Sequence, residues 1–460
     1  MRNLNIAKRI LGLLLLLVPA IFVSCMKEKE EPVLSDECFI SDVSLGSVKR
    51  AFHVTDSLGN DSIYFSTFSG SNFAMTIDQR SLTIENRDSL LYNSILTSVL
   101  VDITYEGLFL MYRPAADTTA AWVTYNNTDS LDVSQPLQLF VGSQSGLATR
   151  VYTLKVNVHQ VEGDSMTWDC VEKDVPGLSD MAEPRATVFD HKLCVLGKTT
   201  SGVKMGVRSG LQTTGEWKWQ NTNLPLAAMT ETLQERNDSL FVSTSEGTLY
   251  SSADGVEWNV LGATVSGLKL LALTDRFYYA LVDGTVCRSD NGVEWHPEPL
   301  DDNPNLLPVH RAQSLCYSQN NGNTRILVCG TCSPDDRRCT VWSKMWTPLD
   351  AEEACGWTYF VPTKENPYTC PVLEDMVLLP YDGRTIAFGG AGDGMRALEK
   401  IFVTNDHGIT WKEDGLLHLP SALLGVSGPI AATVDEHNFI WIIADNQVWR
   451  GRLNRLGFDR

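Results

Sequence analysis

The sequence predicts an all-β protein of two domains, a small antiparallel sandwich followed by a β-propeller. Two observations carry that expectation. Through residues 35–160 apolar and polar side chains alternate with period two: Tyr152, Leu154, Val156 and Val158 point one way, Thr153, Lys155, Asn157 and His159 the other. From about residue 165 tryptophans recur beside Asp, Asn and Gly turns. The length of 460 residues exceeds what one ordinary core holds. With 43% hydrophobic and 20% charged residues the composition is globular, which excludes a mainly disordered chain or a polytopic membrane protein.

Taken in order, Arg2, Lys8 and Arg9 precede an almost continuous apolar run from Ile10 to Val23, too short to span a bilayer. Ser24 and Cys25 follow, so residues 1–24 have the layout of a secretory signal ending at a cysteine. The junction resembles a bacterial lipoprotein lipobox, although Phe22 stands where leucine is usual. That resemblance implies a mature chain beginning at Cys25 and held by acyl chains, palmitate among them. A plain secretory signal and an uncleaved anchor helix are the alternatives. Residues 25–34 form an acidic tether, and Lys27-Glu28-Lys29-Glu30-Glu31 resembles the surface-export tag of diderm lipoproteins. The expected location is the outer membrane with cell-surface exposure, the periplasmic face being the alternative. A net charge of −19, from 37 basic and 56 acidic residues, repels nucleic acid and anionic bilayers, which leaves the lipid at Cys25 as the membrane link.

Residues 35–160 are the sandwich domain. Ser62–Ser66, Phe73–Ile77, Ser98–Tyr105, Ala121–Tyr125 and Leu137–Val141 are its strand candidates, and Arg150–Val158 is its closing strand. The Cys…Trp…Cys framework is missing, so immunoglobulin-like describes only the layering.

Residues 165–460 carry an internal repeat. One unit runs from Gly247 to Trp258, another from Gly284 to Trp295, and a third from Lys400 to Trp411. In each, an apolar strand enters an Asp/Asn/Gly turn and a tryptophan opens the returning strand. The Asp accepts turn amides, Gly takes the positive-φ position, and Trp packs between hairpins. The pattern Thr404-x-Asp406-x-Gly408-x-Thr410-Trp411 resembles the Asp-box (BNR-type) hairpin. Asp290, Gly292 and Trp295 keep its spacing, while in Asp254, Gly255 and Trp258 the acid is shifted by one. The resemblance implies structural residues, so Asp406 is not a catalytic acid. Trp219, Trp258, Trp295, Trp357 and Trp411 mark five blades. The last unit, Phe439 to Arg452, lacks a fourth strand, which Met166–Glu172 supplies by pairing near Trp168 and Trp449. Six blades result, with five or seven the nearest alternatives.

This combination resembles a family of diderm-bacterial surface lipoproteins with an N-terminal sandwich and a degenerate Asp-box propeller. The likeness is most specific at Tyr381–Gly390 and Val448–Phe458. It implies architecture and location and carries no chemistry.

A reaction is harder to find. A sialidase-like site needs an arginine cluster and a Tyr–Glu pair. Met111-Tyr112-Arg113-Pro114 falls in the sandwich, and Arg450, Arg452 and Arg455 read as a solvated strand face. No Gly-x-Ser-x-Gly elbow appears, and the glycine run 389–394 lacks the Lys-Ser/Thr of a phosphate loop. Histidines are dispersed without ligand spacing. Cys329-x-x-Cys332 with Cys339 lacks a histidine partner, so no metal or cofactor is expected. Cys332 and Cys339 instead face each other at a hairpin mouth within disulfide reach, the alternative being buried thiols. The insertion from Trp346 to Asp375 gathers Trp346, Trp357, Tyr359 and Tyr368, a set suited to stacking on sugar or to a protein contact; blade core is the other reading for Trp357 and Tyr359. The expected function is a non-catalytic binding or scaffold role toward glycan or a partner surface protein. A propeller glycoside hydrolase is the alternative, and a convergent Arg or carboxylate constellation in the channel would favour it.

Overall fold

The computed structural model describes residues 34–55, 59–319, 322–347, 356–392 and 394–458. The expected signal, the tether up to residue 33 and Cys25 lie outside the described residues. The chain divides into two compact units, one ending at Val161 and the other spanning Glu162–Asp459.

Among the described residues, the first unit contains three sheets. Strand Val99–Glu106 lies between Phe39–Leu45 and Ser130–Leu131. A six-stranded sheet has the order Met75–Asp78, Thr83–Asn86, Thr149–Lys155, Leu137–Gly142, Phe109–Pro114, Val123–Thr124. The hairpin Ser47–Thr55/Asp61–Ser69 and Ser94–Ile95 form the third. Alternation builds the core: Val99, Val101 and Ile103 join Leu137, Leu139, Val141, Tyr152 and Leu154 in one buried cluster. Burying each aliphatic side chain of this size contributes about 1.5–3 kcal/mol. Two details differ from the sequence reading. Thr83–Asn86 pairs parallel to Thr149–Lys155, so the sheet is mixed rather than purely antiparallel. The closing strand stops at Lys155, because Val158 makes only a single parallel bridge, to Leu90.

Among the described residues, the second unit is a ring of six four-stranded antiparallel sheets. Blades one to five follow in order over residues 182–221, 234–260, 269–297, 310–359 and 377–413. Blade six takes Ala431–Val434, Ile440–Ala444 and Gln447–Leu453 from the end of the chain and its fourth strand, Met166–Glu172, from the start of the unit. Trp168 lies opposite Gly451 and Cys170 opposite Trp449. The first strands of the blades are neighbours in turn, and Ala182–Phe189 meets Ala431–Val434 to complete the circle. Second strands are the most apolar because a blade packs on each face; Ile440–Ala444 is buried throughout.

Trp258, Trp357 and Trp411 are buried at the start of the fourth strands. Trp219 and Trp168 lie within fourth strands, over Gly206 and Gly451. A Cβ on either glycine would come within 2.2–2.3 Å of the indole, so only glycine leaves room. A buried ion pair also ties the closing strand to blade one: Arg208 Nε lies 2.5 Å from Glu172 Oε1, and Trp217 Nε1 donates to Glu172 Oε2 at 2.6 Å. Arg450 corrects the solvated-face reading, since it is buried with its guanidinium 3.4 Å from the Phe439 ring centroid.

Candidate functional site

The ring leaves a cavity of about 420 Å³ where the inner strands begin, walled by blades one, three, four and five and by the segments that lead into blades two and six. Its charges converge in pairs. Lys198 Nζ lies 2.6 Å from Glu183 Oε2, Lys269 Nζ 3.3 Å from Glu231 Oε1, and Arg311 Nη2 3.9 Å from Glu374 Oε1. Across the mouth, Arg185 Nη1 donates to Gln313 Oε1 at 2.9 Å. Desolvation lowers the pKa of Arg185, and the nearby Glu231 carboxylate opposes that shift. Burial, together with Glu374 and Glu183, pushes the Asp375 carboxyl above its usual range, against the pull of Arg311.

The backbone is strained at the same mouth. Glu183, Arg311 and Asp375 hold φ of +49°, +50° and +43°. Left-handed geometry at a side chain as large as Glu or Arg costs on the order of 1–3 kcal/mol. The ladders slip at these points, between Ala182 and Arg185 and between His310 and Gln313. Bulges of this kind re-aim side chains. Thr230, fully buried, fixes one of them by donating its hydroxyl to the Glu183 carbonyl at 2.5 Å.

A wider hollow of about 810 Å³ lies at the turns of blades four to six. There Tyr317 Oη lies 2.8 Å from His407 Nδ1, and Gln319 Nε2 3.3 Å from His407 Nε2. Burial, and then Arg325, lower the pKa of His407. Arg384, which lines this hollow, is held by Asp382 and by Asp414. The axial mouth, with strained backbone and charges from several blades, is the stronger candidate.

The expected aromatic platform does not form. Trp357 is 0% exposed and packs on Tyr279, Tyr359 lies against Trp342, and Trp346 against Phe277. Tyr368 is exposed, with Lys412 Nζ 4.6 Å from its ring centroid. Tyr359 pairs with Trp342 in the blade ladder and Trp357 bridges Leu300, so blade packing accounts for both.

The hairpin turns use their residues differently from the spacing argument. Asp254 Oδ1 accepts from the Val256 and Glu257 amides, at 2.8 and 2.9 Å. In the next blade the same bonds, from Val293 and Glu294, go to Asn291 rather than Asp290. Asp254 and Asn291 are therefore equivalent, each two residues past a serine that accepts the Gly255 or Gly292 amide. Asp406 serves a turn one residue longer, accepting from the Thr410 amide at 2.8 Å. Trp258 and Trp411 donate to the carbonyls of Gly255 and Gly408, and Trp295 stands at the matching position.

Cys332 and Cys339 flank the expected hairpin, Thr324–Thr331 with Thr340–Trp346, but are not joined by a disulfide. Cys332 Sγ lies 3.8 Å from Thr340 Oγ1, and Cys339 turns inward to other thiols. Among the described residues, no group of three or more His, Cys, Asp or Glu is arranged to hold a metal.

The mouth residues escaped the sequence reading because they are scattered over several blades without a shared spacing. The available signal was a charged residue at the head of an apolar inner strand, as in Glu183-Pro184-Arg185 and Glu374-Asp375.

No curated protein matches the chain. Among solved structures it is similar to the Penicillium chrysogenum α-L-arabinanase complexed with arabinobiose (13% identity, 60% of this chain and 94% of that chain, TM-score 0.37). It is similar to the Fusarium graminearum α-L-arabinofuranosidase complexed with arabinobiose (12%, 62% and 97%, TM-score 0.39). It is also similar to the endo-arabinase from Bacteroides thetaiotaomicron (12%, 61% and 96%, TM-score 0.30). Likeness at this level says nothing about activity. Residues 43–156 match the DUF6242 N-terminal domain and residues 162–460 the DUF6242 beta propeller domain, so the chain belongs to the DUF6242 family.

Proposed function

We propose that the protein is a lipid-anchored, exported binding protein that takes its ligand at the mouth of the propeller channel. The ligand is the end of a glycan or a polar segment of a partner surface protein. The convergence of Arg185, Lys198, Lys269 and Arg311 with Glu183 and Glu231 around one cavity carries this reading. Its volume falls in the range of small-ligand sites, and alternating donors and acceptors suit hydroxyl-rich or peptide-like groups. Ion pairing favours binding over catalysis: Glu183 and Glu231 are each engaged by a lysine and are poorly placed to trade protons.

Asp375 supports a second reading, a glycoside hydrolase. Its raised pKa suits a proton donor, and acids and arginines converge around it. The test is a glycan array with full-length protein, followed by Arg185→Ala and Glu231→Gln. Binding is expected to weaken about tenfold or more in each variant, the scale of a lost charged hydrogen bond. Undiminished binding by both folded variants would contradict the site. Release of shortened sugar, abolished by Asp375→Asn, would replace binding with hydrolysis. For the anchor, Cys25→Ser is expected to stop palmitate incorporation and free the protein from membranes; continued membrane retention without palmitate would contradict it.

A further inference from the structure

Four cysteines gather where blade four meets the segment leading to blade five. Cys329 lies in Thr324–Thr331, Cys339 stands just ahead of Thr340–Trp346, and Cys370 lies on the connecting segment. Their exposures are 0%, 6% and 5%, and they share an apolar cluster with Leu327, Val341 and Val372. The three thiols lie within interaction range of one another. Cys332, half-buried, is near enough to Cys339 for their charges to interact.

The ladder restricts which bond forms. Cys329 pairs with Val341, and Gly330 with Thr340, so Cys339 is diagonal to Cys329. Diagonal neighbours are about 7–8 Å apart, at or beyond the reach of a disulfide. Cys370 comes from another segment and escapes that constraint.

We propose that Cys339 and Cys370 are a thiol–disulfide exchange site whose bond fastens blade four to the segment leading into blade five, with Cys332 as its surface thiol. The Cys332 thiolate attacks a disulfide oxidant, forming a mixed disulfide and releasing one oxidant thiol. Cys339 then attacks the Cys332 sulfur and releases the second. Cys370 attacks the Cys339 sulfur, which forms the Cys339–Cys370 bond and returns Cys332 as a thiol. Two protein thiols lose two protons and two electrons; the oxidant's disulfide is reduced to two thiols. An uncharged disulfide suits the apolar surroundings of Cys339 and Cys370, and burial, which holds the Cys370 thiol well above its usual range, makes its attack the slow step.

The test uses full-length protein, reduced and then incubated folded with oxidised glutathione, which makes it independent of the protein's location. After acid quenching and alkylation in denaturant, non-reducing peptide mapping is expected to show a Cys339–Cys370 link, with Cys329 alkylated. Cys332→Ser should slow the appearance of that link by about tenfold or more without changing it. A map with Cys370 alkylated throughout, or joined to Cys329, overturns the site; undiminished speed in Cys332→Ser overturns the relay. The wild-type map decides the pairing even if the variant fails to fold.

Discussion

At the scale of single residues, Arg208 and Glu172 form a contact that is costly to break. Arg208 is fully buried and also donates to the carbonyls of Gly210 and Gln212, at 2.9 and 3.0 Å. Removing one partner of a buried pair strands the other charge, at a cost of about 3–5 kcal/mol. Arg208→Ala should lower unfolding stability by that amount in denaturant titration; a change within the scatter of surface substitutions would contradict the assigned role. His407 gives a pH dependence. Its folded pKa lies below the ordinary 6.5, so the unfolded chain takes up the proton first. Its contribution is therefore present above about pH 6.5 and lost as pH falls through the folded value. His407→Asn, which tolerates the +62° φ found there, should flatten the melting-temperature slope below pH 6.5. An unchanged slope would assign the dependence to other groups. Neither contact was legible in the sequence: Arg208 and Glu172 are joined by ring closure, and the environment of His407 by packing of blades four and five.

At the scale of elements, the hairpin is the unit that the sequence describes best. Tryptophan positions located the fourth strands of blades one to five, because a large ring and a turn glycine leave a periodic mark. The finer turn register was not legible: Asp290 and Asn291 are adjacent, and which one takes the amides depends on turn length. Asp406→Ala should destabilise the propeller by about 1.5–3 kcal/mol, the scale of hydrogen bonds to a charged group, while leaving ligand affinity unchanged. Loss of affinity at unchanged stability would move Asp406 into the site. Gly451→Ala drives a methyl into the Trp168 ring and should cost about 1–3 kcal/mol in thermal or denaturant unfolding. A neutral result would mean that the closing strand is more loosely held than its geometry implies.

At the scale of the whole molecule, closure was legible because the last repeat lacked a strand and Met166–Glu172 had no other partner. The channel mouth was not, since a ring brings together the heads of strands that no linear pattern connects. Closure also defines that mouth: Ala182–Phe189 and Ala431–Val434 meet only if the ends of the ring join. A chain lacking residues 162–172 would expose the long edge Gln447–Leu453 and is expected to aggregate or lose its cooperative unfolding transition. The most direct test of the ligand site is hydrogen–deuterium exchange on full-length protein with and without a bound glycan from the array. Protection is expected to concentrate at residues 183–185, 229–231, 311–313 and 374–376. Protection confined to the outer turns of the blades or to the N-terminal domain, with the mouth unchanged, would contradict the account.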